Sequence, residues 1–189
     1  LAVKKPWRLL DTAWQPLPSS TDGRGYITAD VARNSMIVRV LTTHLDAGRD
    51  ASNRRSDQLQ LVFSEYVDVI ICDLNCREGE VEAVLRDCCY AWLDAWKACG
   101  APADHQYTWD AARNTLARGV NLFTPQFRFD RCYIRADSVY SAASVQLAAC
   151  DKLDIGFASD HFALSVSLEL KKVVSEEASS SSSMRRRLE

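Results

Sequence analysis

Four short polar motifs stand at the ends of apolar runs in this chain: Thr43-His44-Leu45, Asp73-Leu74-Asn75, Phe129-Asp130-Arg131 and Ser159-Asp160-His161. They supply carboxylates, an amide and two imidazoles, the groups that a metal-assisted attack on a phosphate ester uses. Asp73 can accept a proton from an attacking water. Asn75 leaves the same face if the strand continues through it, and its amide can donate to a phosphate oxygen or orient that water. A protonated His161 can stabilise charge developing on phosphate oxygens, with Asp130 orienting the imidazole and Asp160 holding a metal-bound water. His44 is a second phosphate donor. Arg49 and Arg77 suit bidentate phosphate contacts that Lys makes less well. Trp109 can stack on a base or ring beside the site.

Each of these residues also has a plainer structural reading. Asp-Leu-Asn is a common turn sequence, Asp130 can pair with Arg128 or Arg131, and a single His beside apolar residues is often satisfied locally. Trp109 can simply pack, and Arg49, Arg54, Arg55, Arg77, Arg128 and Arg131 can be a solvated charged surface. These alternatives stay open on the residues alone.

The elements that must position these groups read as follows. Met36–Thr43 is rich in Ile, Val, Leu and Thr and predicts a buried strand ending at His44. Asp50 or Ser52 can cap a helix in which Leu59, Val62, Phe63 and Tyr66 form the apolar stripe. Residues 67–72 predict a second strand that delivers Asp73, and residues 80–96 a helix crossing back over the sheet. Residues 128–135 predict a strand placing Phe129, Arg131 and Tyr133 opposite Asp130, Cys132 and Ile134. In residues 162–168, Phe162, Leu164, Val166 and Leu168 alternate with Ala163, Ser165 and Ser167, the pattern of a half-buried strand. Alternating strands and helices imply an α/β layered fold.

A length of 189 residues with 47% hydrophobic content suits one sizeable domain. The net charge of −2 excludes a globally basic polyanion binder, so contacts to nucleic acid must come from locally concentrated Arg. Seven cysteines without C-x-x-C pairs read as free thiols, and His44, His105 and His161 are too far apart in sequence to suggest zinc. With no signal-like or membrane-spanning run, the expectation is an intracellular protein, in nucleus or cytoplasm, that does not engage a membrane. Residues 173–189, with five consecutive serines and Arg185-Arg186-Arg187, read as a disordered Ser/Arg tail.

The motifs His44-Leu45-Asp46, Asp73-Leu74-Asn75-Cys76-Arg77, Tyr107-Thr108-Trp109-Asp110, Arg128-Phe129-Asp130-Arg131 and Ser159-Asp160-His161 resemble the endonuclease/exonuclease/phosphatase superfamily. Residues 53–62, 77–81 and 106–110 favour its branch that acts on tyrosine joined to DNA 5′ ends over lipid, RNA-tail and inositol phosphate relatives. The resemblance implies a two-sheet α/β sandwich whose first half is missing, with residues 1–172 forming part of the catalytic domain. It implies a Mg²⁺-dependent phosphodiesterase, Mn²⁺ being an alternative, that releases topoisomerase-derived tyrosine in DNA repair. Asp73 would activate water, Asn75 contact the phosphate, His161 stabilise the transition state, Asp130 orient His161 and Asp160 support the metal through water. His44, Arg49, Arg77 and Trp109 would line the path of the DNA. Cys72 replaces the family's usual glycine, and the early Asn motif and metal-binding Glu have no counterpart, so the missing amino-terminal half is itself an expected partner. The competing readings are a catalytically dead nucleic-acid- or phosphate-binding fragment and a phosphodiesterase with another substrate.

Overall fold

The structure is a computed structural model that describes residues 2–118 and 123–171. The tail at residues 173–189 lies outside the described residues. In chain order the elements are β1 (Arg8–Pro16), β2 (Gly25–Arg33), β3 (Met36–Thr43), α1 (Ser52–Ser64), β4 (Val69–Asp73), α2 (Glu78–Leu85), β5 (Trp92–Asp94), α3 (Ala95–Ala98), β6 (Trp109–Asp110), α4 (Thr115–Arg118), β7 (Gln126–Phe127), β8 (Asp130–Arg135), β9 (Tyr140–Ala148) and β10 (Ala163–Leu170). Six strands form one sheet in the order β1-β2-β3-β4-β8-β5, while β9 pairs with β10 and β6 with β7. The α/β expectation is borne out.

Local chemistry explains how the sheet is wired. β2 and β3 are antiparallel, with Arg33 opposite Met36, so Asn34 and Ser35 close the hairpin. Asn34 adopts a left-handed conformation at φ 55°, which asparagine tolerates. β3 and β4 are parallel and therefore need a crossover, supplied by α1. Arg55, Gln58, Leu59, Val62 and Phe63 form the buried stripe of α1. With Val81 and Val84 of α2, this stripe packs on Leu41, Ile70, Cys72 and Tyr133 from one face of the sheet. On the opposite face Val38, Val69, Cys132 and Ile134 pack against Tyr140 and Val145 of β9, with Leu164 and Val166 of β10 alongside. Because both faces of β8 are covered, its alternation is not amphipathic, and Arg131 to Arg135 are all buried. The predicted alternation in β10 holds through Ser167, with Leu164 and Val166 half-buried and Ser165 and Ser167 exposed, but the register shifts at Leu168, which is exposed.

Several expected boundaries are corrected. A 3₁₀ turn at Arg49–Ala51 leads into α1, and neither Asp50 nor Ser52 caps it through a side chain. The helix ends at Ser64, because Glu65 is extended, and Tyr66 instead lies exposed beneath the Arg135 guanidinium, 3.8 Å from the ring centroid. The single helix expected over residues 80–96 is broken into α2, β5 and α3. Tertiary pairing wins there. Trp92, Leu93 and Asp94 pair with Arg135, Ile134 and Tyr133, and Asp94 caps α3 by accepting from the backbone N–H groups of Trp96 and Lys97. All seven cysteines are free thiols, as expected.

The second layer is narrower than the first. β1 is exposed along its whole length, and its Leu9 continues the row formed by Val31 and Val38, on the face that β9 and β10 cover elsewhere. Trp14, also on β1 and paired with Ile27, is 58% exposed.

Candidate active site

Three strand ends converge on one edge of the large sheet. β3 and β4 run parallel, and the bridge between His44 and Asp73 carries their pairing three residues beyond Leu41 and Ile70. β8 starts beside them in antiparallel register, with Asp130 opposite Asp73. The loop before β10 then folds back over this edge. It is fixed by the Phe162 N–H donating to Thr108 O at 2.7 Å, Asn114 Nδ2 to Ser159 O at 2.8 Å and the His161 N–H to Ser159 Oγ at 3.1 Å.

The result is a compact acid–imidazole group. His161 Nδ1 lies 2.6 Å from Asp130 Oδ2, and its Nε2 lies 3.9 Å from Asp73 Oδ2. His44 Nε2 approaches the same Asp73 oxygen at 3.3 Å. The expectation that Asp130 orients His161 fits this geometry. Its alternative partnership is not formed: Arg128 is committed to Glu78 and Asp94, while Arg131 donates to backbone carbonyls and lies near Glu78. Arg55, Arg128 and Arg131 are therefore not a solvated surface but buried guanidiniums.

Asn75 departs from the extended path considered for it. The strand ends at Asp73, and Asn75 turns at φ 51° with its N–H donating to Asp73 Oδ1 at 2.9 Å. Its side-chain Nδ2 donates to Leu45 O, also at 2.9 Å. The turn reading was right about shape, and the turn itself orients the Asp73 carboxylate. One amide hydrogen of Asn75 is left for another acceptor.

Burial, followed by the nearby Asp130 charge, raises the Asp73 carboxyl above its ordinary range, against the pull of the Asn75 N–H, His161 and His44. For His161 burial acts to lower the value, but the Asp130 hydrogen bond and charge outweigh it, and Asp73 and Asp160 add to the rise. Asp73 is thus poised to take a proton and His161 to carry one.

The remaining predicted residues surround this group less closely. Asp160 is exposed, with its Oδ1 3.3 Å from Ser159 Oγ. Arg49 is exposed in the 3₁₀ turn after His44. Arg77, at the start of α2, sits with its guanidinium carbon 5.7 Å from the centroid of the Phe127 ring. Trp109 is half-buried and joins an aromatic row: its ring centroid lies 5.8 Å from Phe127 and 6.1 Å from Phe129, which stack at 4.9 Å, and Phe129 is 6.2 Å from His161. Phe127 and Phe129 were missed as site residues. Their signal was present as two aromatics flanking Arg128 at strand spacing, which puts them on one face.

Asp73, Asp130 and His161 each present one ligand atom, and these atoms lie within 4.8 Å of one another. Two carboxylate oxygens suit a hard divalent cation, and an imidazole nitrogen is better tolerated by Mn²⁺ than by Mg²⁺. Asp160 is outside that group. The fit is partial, since Mg²⁺ takes about six oxygens, so water, substrate or further residues would complete the shell.

This architecture and site define the class. The chain has the endonuclease/exonuclease/phosphatase fold. It superposes on D. rerio TDP2 complexed with single-strand DNA product with a TM-score of 0.77, at 24% identity, covering 86% of this chain and 68% of that one. An endonuclease/exonuclease/phosphatase from Bacteroides vulgatus matches with a TM-score of 0.63 at 18% identity, over 87% and 67% of the two chains. In sequence, the chain is similar to tyrosyl-DNA phosphodiesterase 2. It is 32% identical to the Xenopus tropicalis protein over 168 residues and 30% identical to the Homo sapiens protein over 170. These matches take in 83% and 82% of this chain but 44% and 45% of the relatives, so the chain spans a little under half their length and is a partial domain. No protein-family model matches it.

Proposed function

We propose that this chain is part of a divalent-metal-dependent phosphodiesterase that removes tyrosine from DNA 5′ ends. The observation that carries the proposal is the meeting of Asp73, Asp130 and His161 at one sheet edge. Asp73 accepts the proton of the attacking water. His161, held by Asp130, donates to the phosphate oxygens as charge develops on them. Asn75 offers its free amide hydrogen to the phosphate. His44, Arg49 and Arg77 present donors along the approach, and the row of Trp109, Phe127 and Phe129 offers a face on which a base can stack. Mg²⁺, or Mn²⁺, when bound beside the Asp73 and Asp130 carboxylates with Asp160 supporting its water shell, would polarise the phosphate and neutralise its charge. The proposed place of work is the nucleus or cytoplasm. Among the described residues no helix is long and apolar enough to cross a membrane.

The test is release of tyrosine from a 5′-tyrosyl oligonucleotide, with Mg²⁺ and after chelation. It compares the chain alone with the chain joined to the part of the X. tropicalis relative that it leaves unmatched. Chelator-sensitive release by the joined protein is the expected result. A folded joined protein that binds the oligonucleotide without cleaving it would instead make this a binding module. Cleavage of simple phosphodiesters but not of the tyrosyl end would shift the substrate.

A pH profile gives a second check. The rate should rise as Asp73 ionises and fall as His161 loses its proton, with both limbs displaced upward because both groups are raised. Asp130→Asn removes the leading cause of the His161 rise and the second, after burial, of the Asp73 rise, so both limbs should move to lower pH, the His161 limb more, as the height falls. Unmoved limbs in that variant would refute the role given to Asp130.

A further inference from the structure

We infer that Arg131 is a positioning residue, a buried brace that sets the separation of the two site carboxylates. Its side chain is fully enclosed. Nη2 donates to Cys76 O at 3.0 Å and Nε to Arg128 O at 2.8 Å. Nη1 lies 3.4 Å from both Glu78 Oε2 and the Tyr133 hydroxyl. One planar group is thereby bonded to the loop that follows Asp73 and to the segment that precedes Asp130.

The location gives the bond its consequence. The β4–β8 ladder ends at the Asp73–Asp130 pair, and past it the Leu74 N–H donating to Phe129 O at 2.9 Å is the backbone link between the two segments. The guanidinium supplies further links on the same side. A fork can reach two carbonyls at once, whereas the single ammonium of Lys cannot reproduce that span. Charge neutralisation is a lesser part of the role, because Glu78 is already gripped by Arg128 through two hydrogen bonds. The catalytic consequence rests on the proposed phosphodiesterase reading. The brace itself can be tested without turnover.

The experiment is amide hydrogen exchange, read by NMR on the full chain and on Arg131→Lys and Arg131→Met. The Leu74 and Asn75 amides, whose hydrogen bonds set the loop, should exchange about tenfold faster or more in both variants, while those of β2 and β3 keep their wild-type rates. Unchanged Leu74 and Asn75 rates would overturn the inference. So would equal acceleration in β2 and β3, or loss of the fold, either of which would make Arg131 a general stabiliser. In an active joined protein the same variants should lower kcat with little change in KM. If no activity is found, the exchange result still decides whether the brace exists.

Discussion

On the proposed reaction, Asp73→Asn in the joined protein should abolish tyrosine release and at the same time make the protein harder to unfold. The activity loss follows from removing the proposed proton acceptor at the centre of the site; a positioned general base contributes about 10²–10⁴-fold in rate, so turnover should fall by at least that order. The stability gain follows from the sign of the pKa shift. Asp73 is raised in the folded state, so it contributes stability at pH values below its unfolded pKa that is lost as pH rises through the folded value. At neutral pH its buried charge is therefore a cost, increased by Asp130 in the facing register position. Asn removes the charge and keeps an acceptor for the Asn75 N–H. Urea titration at pH 7 should show a higher midpoint than wild type, while the tyrosine-release assay shows no turnover. A lower midpoint would mean that the carboxylate is held more favourably than burial and Asp130 allow. Retained turnover would remove Asp73 from the mechanism.

Arg128→Met should produce the largest loss of stability of any single substitution considered for this chain. The guanidinium is 4% exposed and serves two carboxylates: Glu78 at 2.9 and 3.1 Å, and Asp94 at 2.9 and 2.6 Å. It also lies 4.6 Å from the centroid of the Trp96 ring. It thus ties the start of α2 to the junction of β5 and α3. Removing it leaves the Asp94 carboxylate, which is only 8% exposed, without its Arg128 countercharge, although the Trp96 and Lys97 N–H groups still donate to it. Breaking a buried pair in this way costs about 3–5 kcal/mol. Arg128→Met combined with Asp94→Asn should recover part of that loss, because Asn can still cap α3 and no buried charge remains unpaired. Equal stability of the single and double variants would refute the stranded-charge account.

Acid provides a related readout of the same network. Burial works to raise the Glu78 carboxyl, but the hydrogen bonds of Arg128 and the nearby Arg131 charge bring it down to about 2. A lowered carboxyl contributes stability that is fully present above its ordinary value and is lost as pH falls toward about 2. In Arg128→Met the acid-unfolding midpoint should therefore move to higher pH.

The parts of the fold legible in the sequence were those governed by local pattern. The β-branched run of β3, the stripe of α1 and the alternation of β10 each follow from which residues face a neighbouring layer. What escaped was decided at a distance. Residues 80–96 have enough helical periodicity to suggest one helix, yet pairing of Trp92 to Asp94 with β8 interrupts it. The β1–β2 hairpin and the Ser- and Ala-rich β9 carry weak signals, since much of their side-chain surface is exposed or small. At the site, motif order indicated Asp73, Asp130 and His161, because strand ends bring such motifs to one sheet edge. The buried roles of Arg55, Arg128 and Arg131 were not legible. An Arg reads as surface until its partners, such as Glu80 for Arg55, are folded onto it.

The bare face of β1 also makes the protein its own optical probe. Trp14 is the most exposed of the five tryptophans at 58%, its ring resting against Gly25, while the other four are more deeply shielded by the fold. Its emission should therefore dominate the red side of the fluorescence spectrum and be the first to yield to a soluble quencher. Whatever comes to lie over Leu9 and Trp14 would shift that emission toward the blue, without any label being attached.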